Sequence, residues 1–263
     1  MKFSVLGCGW LGLPLAEFLV KKEFLVKGST TSREKLPLLK SKKIHPYLIK
    51  ISNQSSSDSL EEFLQTDVLF VNIPFGQQKE NLQAYIDLIP KIEKSSVQKV
   101  IFVSSTSVYA DTNGTITDTE NFKINPAKQR LIDLENLFRN NKHFDCTVLR
   151  FSGLVGGSRN PGNFFKEGRI VKNGLAPVNL IHLKDCIHIV YQILKKKAWN
   201  QIFNASADFH PTRKEFYTAA TLLVNKTPAT FLEELDSFKI ISNKPLKKAL
   251  DYNFHYPDLM NLL

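Results

Sequence analysis

Cysteine is scarce in this chain. Only Cys8, Cys146 and Cys186 occur among 263 residues, an odd number at wide spacing, so neither a disulfide framework nor a metal cluster is indicated. The sequence also lacks any run approaching the roughly 18–20 apolar residues that a membrane-spanning helix requires. Acidic residues are outnumbered by basic ones, 25 to 35, giving a net charge of +10. No long basic block and no nucleic-acid-binding motif accompanies that excess. The lysines instead form short clusters, Lys42 with Lys43, Lys195 to Lys197 and Lys247 with Lys248, as on a solvated surface. These absences lead us to expect a protein of a reducing, cytoplasmic setting that binds neither nucleic acid nor membrane and holds no metal. Its N-terminus is apolar, but it runs straight into a glycine pattern with a folding explanation, so no leader is expected.

Apolar residues make up 43% of the chain, ample for a core. Short β-branched runs at 3–6, 25–30, 47–51, 68–73, 100–104 and 147–151 are apolar without clean alternation, which predicts parallel strands covered on both faces. Helical patterns separate them. Leu11, Leu15 and Leu19 form one stripe, Leu131, Leu134 and Phe138 another, and Asp58 with Glu61 has capping-box spacing. The repetition predicts an α/β fold, a Rossmann-type doubly wound parallel sheet. After Gly153 the rhythm breaks into a glycine-rich loop, followed by strands expected at 179–183 and 202–205 and helices at 184–197 and 212–224. We expect residues 1–155 to form the dinucleotide-binding core. Residues 156–263, with too little core of their own, should form a small C-terminal substrate lobe partly interleaved with it, leaving a cleft for a substrate.

GCGWLG, residues 7–12, has GxGxxG spacing. Alone that signal is weak. Here it follows the strand KFSVL and opens the helix WLGLPLAEFLV, the context in which a pyrophosphate rests on helix N-terminal amides. Gly7 permits the turn, Gly9 the approach of the phosphates and Gly12 the packing of helix on strand, with Trp10 and Leu11 completing the loop. An acid about 20 residues onward would take the ribose hydroxyls of NAD. The chain reads GSTTSREK there, so Thr30, Thr31, Ser32 and Arg33 are expected at the adenosine ribose, with NADP preferred over NAD. Asn72, Ile73 and Pro74, at the end of DVLFVNIPFG, border the same crevice.

With these pieces in order, VSSTSVYAD becomes informative. Together with GWLGLPLA, KGSTTS, LRFSGLVGGSRNPGNFF, NLIHLKD, NASADFHPTRKEFY and KKALDYNFHYPDL, it resembles the extended short-chain dehydrogenase/reductase, or NAD-dependent epimerase/dehydratase, superfamily, and within it the atypical YeeZ-like branch. The resemblance covers nearly the whole chain. It implies a nicotinamide cofactor, with Ser104, Phe151, Ser152 and Leu154 near it and Arg150 bordering the nicotinamide end. Ser105 falls on the superfamily's catalytic serine. The superfamily's Tyr-x-x-x-Lys pair maps to Ala127 and Leu131, neither of which can move a proton. No tyrosine occurs between Tyr109 and Tyr191. Tyr109, Lys128 and His182 remain as candidate proton-moving groups beside Ser105, and Asp185 resembles a cleft-lining residue of relatives. Tyr109 is expected to hold its loop in place, because Asn113 stands four residues on, where a lysine would be needed to acidify the phenol. Two functions follow: an NAD(P)-dependent oxidoreductase or epimerase-like enzyme with a non-standard acid, acting on a small molecule, or a non-catalytic dinucleotide-binding redox sensor or partner-binding module.

Overall fold

The computed structural model describes residues 1–51, 59–74, 79–117 and 119–263. The first elements alternate: β1 (Lys2–Leu6), α1 (Gly12–Lys21), β2 (Leu25–Thr30), α2 (Leu36–Ser41), β3 (His45–Leu48), α3 (Ser59–Phe63), β4 (Val68–Val71), α4 (Lys79–Glu93) and β5 (Lys99–Ser105). There follow β6 (Gly114–Ile116), α5 (Gln129–Arg139), β7 (Asp145–Phe151), β8 (Gly153–Val155), β9 (Ile170–Val171), β10 (Leu180–His182) and α6 (Leu183–Lys196). The chain continues with β11 (Ile202–Ala205), α7 (Arg213–Leu223), β12 (Thr230–Phe231), β13 (Lys239–Ile241) and α8 (Lys244–Leu250).

Seven strands form one sheet in the order β11-β7-β5-β4-β1-β2-β3. β1 pairs in parallel with both β2 and β4, and β2–β3 and β4–β5 are parallel too. Strand order reverses between β1 and β4, which is where doubly wound sheets place a ligand. The expected Rossmann-type sheet is present. β4 is buried along its whole length, and β1 everywhere beyond Lys2, so helices cover both faces and alternation disappears. Leu11, Leu15 and Leu19 put the α1 stripe into that core.

Several boundaries differ from the sequence reading. β3 runs from His45 to Leu48 in place of 47–51, and it contains Pro46. The strand lies at the sheet edge, where a missing amide donor is tolerated. β4 ends at Val71, so Asn72 and Ile73 belong to the loop, although the Asn72 N–H still donates to Leu6 O at 3.0 Å. The capping box at Asp58 lies outside the described residues.

The chain divides into two compact units, each assembled from three segments: Met1–Ser104, Gln129–Leu149 and Ile193–Ile202 in the first, and Ser105–Lys128, Arg150–Gln192 and Phe203–Leu263 in the second. The second has small parallel strand pairs of its own, β10–β8, β12–β9 and β13–β6. It also has its own core, where Val155, Val178, Leu180, Ala207, Phe216 and Leu259 pack together. The contributors come from short segments far apart in sequence, so no periodic stripe announces them.

The first turn of α6 anchors the C-terminal segment of this unit. Asp185 is fully buried. Its carboxylate accepts the Tyr252 hydroxyl at 2.6 Å and the backbone N–H groups of His255 and Tyr256 at 2.7 and 3.1 Å. Burial and this carboxylate push the Tyr252 phenol far above its ordinary pKa, so it stays a donor. Asp185 is thus a clamp within the fold and not an open site residue. Tyr252→Phe removes one bond to a charged acceptor and should lower stability by about 1.5–3 kcal/mol. Urea denaturation measures this, and an unchanged midpoint would show the hydroxyl to be idle.

Candidate dinucleotide site

In the first unit the loop after β1 is held from both sides. Gly7 has φ +104°, a conformation that favours glycine, and its N–H donates to Ser29 Oγ at 2.9 Å. Asn72 Nδ2 donates to Gly7 O at 3.1 Å, and the Cys8 N–H reaches Ser29 O at 2.8 Å. β2 and β4 therefore fix the turn at the point where strand order reverses.

The three glycines meet different surroundings. A Cβ on Gly7 would stand 2.7 Å from Asn72 O, and one on Gly12 would run into Gly7 O and Val5. At Gly9 a Cβ would meet nothing within 4 Å. Gly7 and Gly12 are thus required by the protein's own packing, whereas the protein itself makes no demand on Gly9. Trp10 is half-buried and Leu11 buried. α1 begins with no side-chain cap and no acid in its first turn, so its N-terminal amides and the positive end of its dipole are suited to an anion.

At the end of β2, Thr30 is buried, Ser32 half-buried, and Thr31 and Arg33 exposed. The Ser32 N–H donates to Thr30 Oγ1 at 3.2 Å, and its hydroxyl donates to the Glu34 carboxylate. That bond, helped by the neighbouring Arg33 charge, holds the Glu34 carboxyl below its ordinary range. An ionised acid therefore shares the corner that the sequence assigned to a 2′-phosphate. At the end of β4, Asn72 is engaged with Gly7, Ile73 O accepts the Tyr85 hydroxyl at 2.7 Å, and Pro74 is exposed. Ser104 turns its hydroxyl to the buried Glu135 carboxylate of α5. In this structure its side chain serves the interior.

The second unit holds a separate polar cluster. Tyr109 is fully buried. Its hydroxyl donates to Asn204 Oδ1 at 2.6 Å and accepts from an Arg150 Nη at 2.8 Å. The guanidinium, itself buried, also donates to Thr119 O at 2.9 Å and lies over the rings of Tyr109 and Phe122. Asn204 Nδ2 is buried with no hydrogen-bond partner among the described residues. Asn113 supplies no charge to Tyr109, but Arg150, 41 positions away, brings one to it. Asn113 instead turns its side-chain oxygen to the Phe238 N–H.

Near this cluster Thr106 Oγ1 lies 3.4 Å from Ser152 Oγ. Phe151 is buried and Leu154 half-buried. Ser105 accepts the Ser107 N–H at 3.1 Å, capping the next turn. Lys128 is half-buried at the end of the 3-10 turn Pro126–Lys128. Ala127 is exposed, while Leu131 is buried in α5.

His182 stands elsewhere in the unit, its ring against Gly156 and 4.1 Å from that of Tyr256. Burial lowers its pKa, with Asp185 offsetting part of the effect. The thiols are no candidates for nucleophiles: burial pushes Cys8 up to about 12 and raises Cys146 and Cys186 as well, so all three stay protonated. Among the described residues no cluster of three or more His, Cys, Asp or Glu side chains is placed to hold a metal, and no helix is long and apolar enough to cross a membrane.

Sequence reasoning missed Ser29, Tyr85, Glu135 and Asn204. Ser29 lay inside the quoted KGSTTS, adjacent to the residues chosen. The other three become visible only through partners distant in sequence.

A reversed strand order with a glycine turn at the reversal defines a dinucleotide-binding Rossmann protein. The chain belongs to the NAD(P)H-binding family whose model matches residues 7–179. It is similar to Protein YeeZ of Escherichia coli K12, at 31% identity over 266 residues, covering 98% of this chain and 97% of that protein. Its fold is that of UDP-glucuronic acid 4-epimerase from Bacillus cereus, solved with NAD, at a TM-score of 0.76 and 17% identity over 97% of this chain and 94% of the other. A short-chain dehydrogenase/reductase superfamily protein from Agrobacterium tumefaciens with bound NAD superposes at a TM-score of 0.77 and 13% identity, covering 97% and 93%.

Removing the Tyr109 hydroxyl would leave a buried guanidinium N–H and Asn204 Oδ1 each short of a partner. Tyr109→Phe should lower stability by about 1.5–3 kcal/mol, the range for hydrogen bonds to charged groups. Differential scanning calorimetry tests this, and an unaltered melting temperature would show that the cluster does not hold the loop.

Proposed function

We propose that the first unit binds NADP(H) or NAD(H) at residues 7–12 and that the protein is an oxidoreductase or epimerase-like enzyme that does not use a Tyr-x-x-x-Lys pair. When bound, a nicotinamide cofactor supplies hydride transfer at its C4 carbon. The chain's own groups bind and orient: the α1 amides take the pyrophosphate, Ser29 and Asn72 hold the turn, and the β2 end takes the adenosine ribose. Ser105, Lys128 and His182 are the polar groups left for proton movement, since the Tyr109 hydroxyl is engaged inside its unit. The observation that carries the reading is the contrast at the glycines, with Gly9 open where Gly7 and Gly12 are closed by the protein itself.

A second reading, a non-catalytic dinucleotide-binding module, is favoured by the interior engagement of the Ser104 and Tyr109 hydroxyls. Turnover of any carbonyl or hydroxyl substrate with NAD(P)(H) separates the two. We place the protein in the cytoplasm with a small-molecule partner and no nucleic acid. Supporting this, Lys42 and Lys247 of the basic clusters already pair with Glu17 and Asp208.

Because a Cβ at position 9 meets only open space, Gly9→Val should keep the melting temperature of the parent and lose NAD(P)H binding. Gly12→Ala should destabilise the fold instead. Isothermal titration calorimetry with thermal melting separates the two effects, and full NADPH affinity in Gly9→Val would refute the placement.

Within this reading NADP(H) is preferred, with Arg33 as the group that takes the 2′-phosphate. A charge-assisted bond of about 1.5–3 kcal/mol corresponds to a preference of roughly tenfold to a hundredfold. Arg33→Ala should abolish it, whereas Glu34→Gln should strengthen NADP binding by removing a like charge. If NAD binds as tightly as NADP to the parent, Glu34 is the ribose ligand and the cofactor is NAD.

A further inference from the structure

The C-terminal segment that Asp185 clamps makes one more contact with α6. His188 lies on that helix three residues beyond Asp185, and His255 is a residue whose backbone N–H the Asp185 carboxylate accepts, at 2.7 Å. Their imidazoles meet edge to edge. His255 Nε2 stands 3.0 Å from His188 Nδ1, with the ring planes crossing at 76°. His188 is half-buried and His255 exposed, so water reaches the pair. None of the preceding roles uses it.

Neutral imidazole is the commonest metal ligand, through either ring nitrogen. Zinc–nitrogen bonds of about 2.0–2.1 Å put two nitrogens on one ion roughly 2.8–3.4 Å apart, for angles between a right angle and a tetrahedral one. The spacing of 3.0 Å falls in that interval. Binding places both ring protons on the far nitrogens, which a tautomer change supplies without altering the charge of either ring. Only the two facing nitrogens are needed, and a partner on either far nitrogen serves to orient its ring.

The two ligands are also held in place from separate elements. α6 carries His188, and the Asp185 carboxylate fixes the backbone around His255 by accepting the Tyr252 hydroxyl and the Tyr256 N–H as well. Sites on rigid supports lose less on binding. Among the described residues no third His, Cys, Asp or Glu joins the pair, so water completes the coordination. Imidazole nitrogen suits Zn²⁺ and Cu²⁺, whereas Mg²⁺ and Ca²⁺ require oxygen ligands.

We propose that His188 and His255 form a two-imidazole site for a first-row divalent metal ion of the zinc and copper class, and that the bound ion staples residues 252–256 to α6. An ion that binds only while these elements are together stabilises them by mass action. The site lies wholly within the second unit and is independent of the dinucleotide reading.

The test is titration of the chelator-treated full chain with Zn²⁺, followed by calorimetry, thermal melting and NMR of the histidine ring C–H groups. One Zn²⁺ per chain should bind, shifting the signals of His188 and His255 and leaving those of His45, His143 and His210 in place. The melting temperature should rise with Zn²⁺ concentration, Cu²⁺ should bind more tightly than Zn²⁺, and Mg²⁺ should have no effect. His188→Gln and His255→Gln should each weaken Zn²⁺ by roughly tenfold or more. Glutamine at the exposed position 255 keeps the backbone bond to Asp185, so that variant retains the fold. His143→Gln, at an exposed position in the first unit, should bind as the parent does. An undiminished affinity in both His188→Gln and His255→Gln, shifts confined to other histidines, or no saturable binding up to about millimolar Zn²⁺ would each overturn the proposal.

Discussion

The approach of α1 to the end of β1 is the constraint on which the first unit depends. Gly12 lies so close to the Gly7 carbonyl that no side chain fits there. That contact sets the angle at which α1 leaves the sheet and exposes its uncapped amides at the strand-order reversal. Ser29 and Asn72 then tie the turn to β2 and β4. The closeness of backbone to backbone thus shapes a corner suited to an anion, with no charged side chain of the loop involved.

The second unit relies on a different device, polar groups buried with their partners. Asp185 collects three donors from residues 252–256, and Arg150 ties Tyr109 to Thr119 O. Groups of this kind are costly to bury unless they are paired, and once paired they fix one arrangement of the chain. They give definition to a unit whose strands are only two or three residues long in most pairs. Tyr109, expected from the sequence to hold its loop, is part of that interior.

The corner at the end of β2 brings two opposing charges together. Arg33 suits a phosphate and Glu34 suits ribose hydroxyls, and the bond from Ser32 fixes the acid close to the strand end. On the proposed reading, which cofactor prevails depends on which charge faces the ribose, a matter of rotamers at an exposed turn.

The sequence by itself determined the parallel sheet and its glycine turn. Strands covered on both faces show as unbroken apolar runs, and the need for glycine beside a carbonyl shows as GxGxxG, both local signals. It did not disclose the edge position of β3, because Pro46 excludes a central strand but says nothing against an edge. The capping box of Thr212 and Glu215 is legible in the spacing too, although the sequence reading gave only a helix at 212–224. Tertiary structure alone decided the rest. Arg150 reaches Tyr109 across 41 positions and Tyr252 reaches Asp185 across 67. Pairings between positions so far apart leave no trace in periodicity or spacing, since each residue carries half of the interaction and its position in the chain does not reveal the other half.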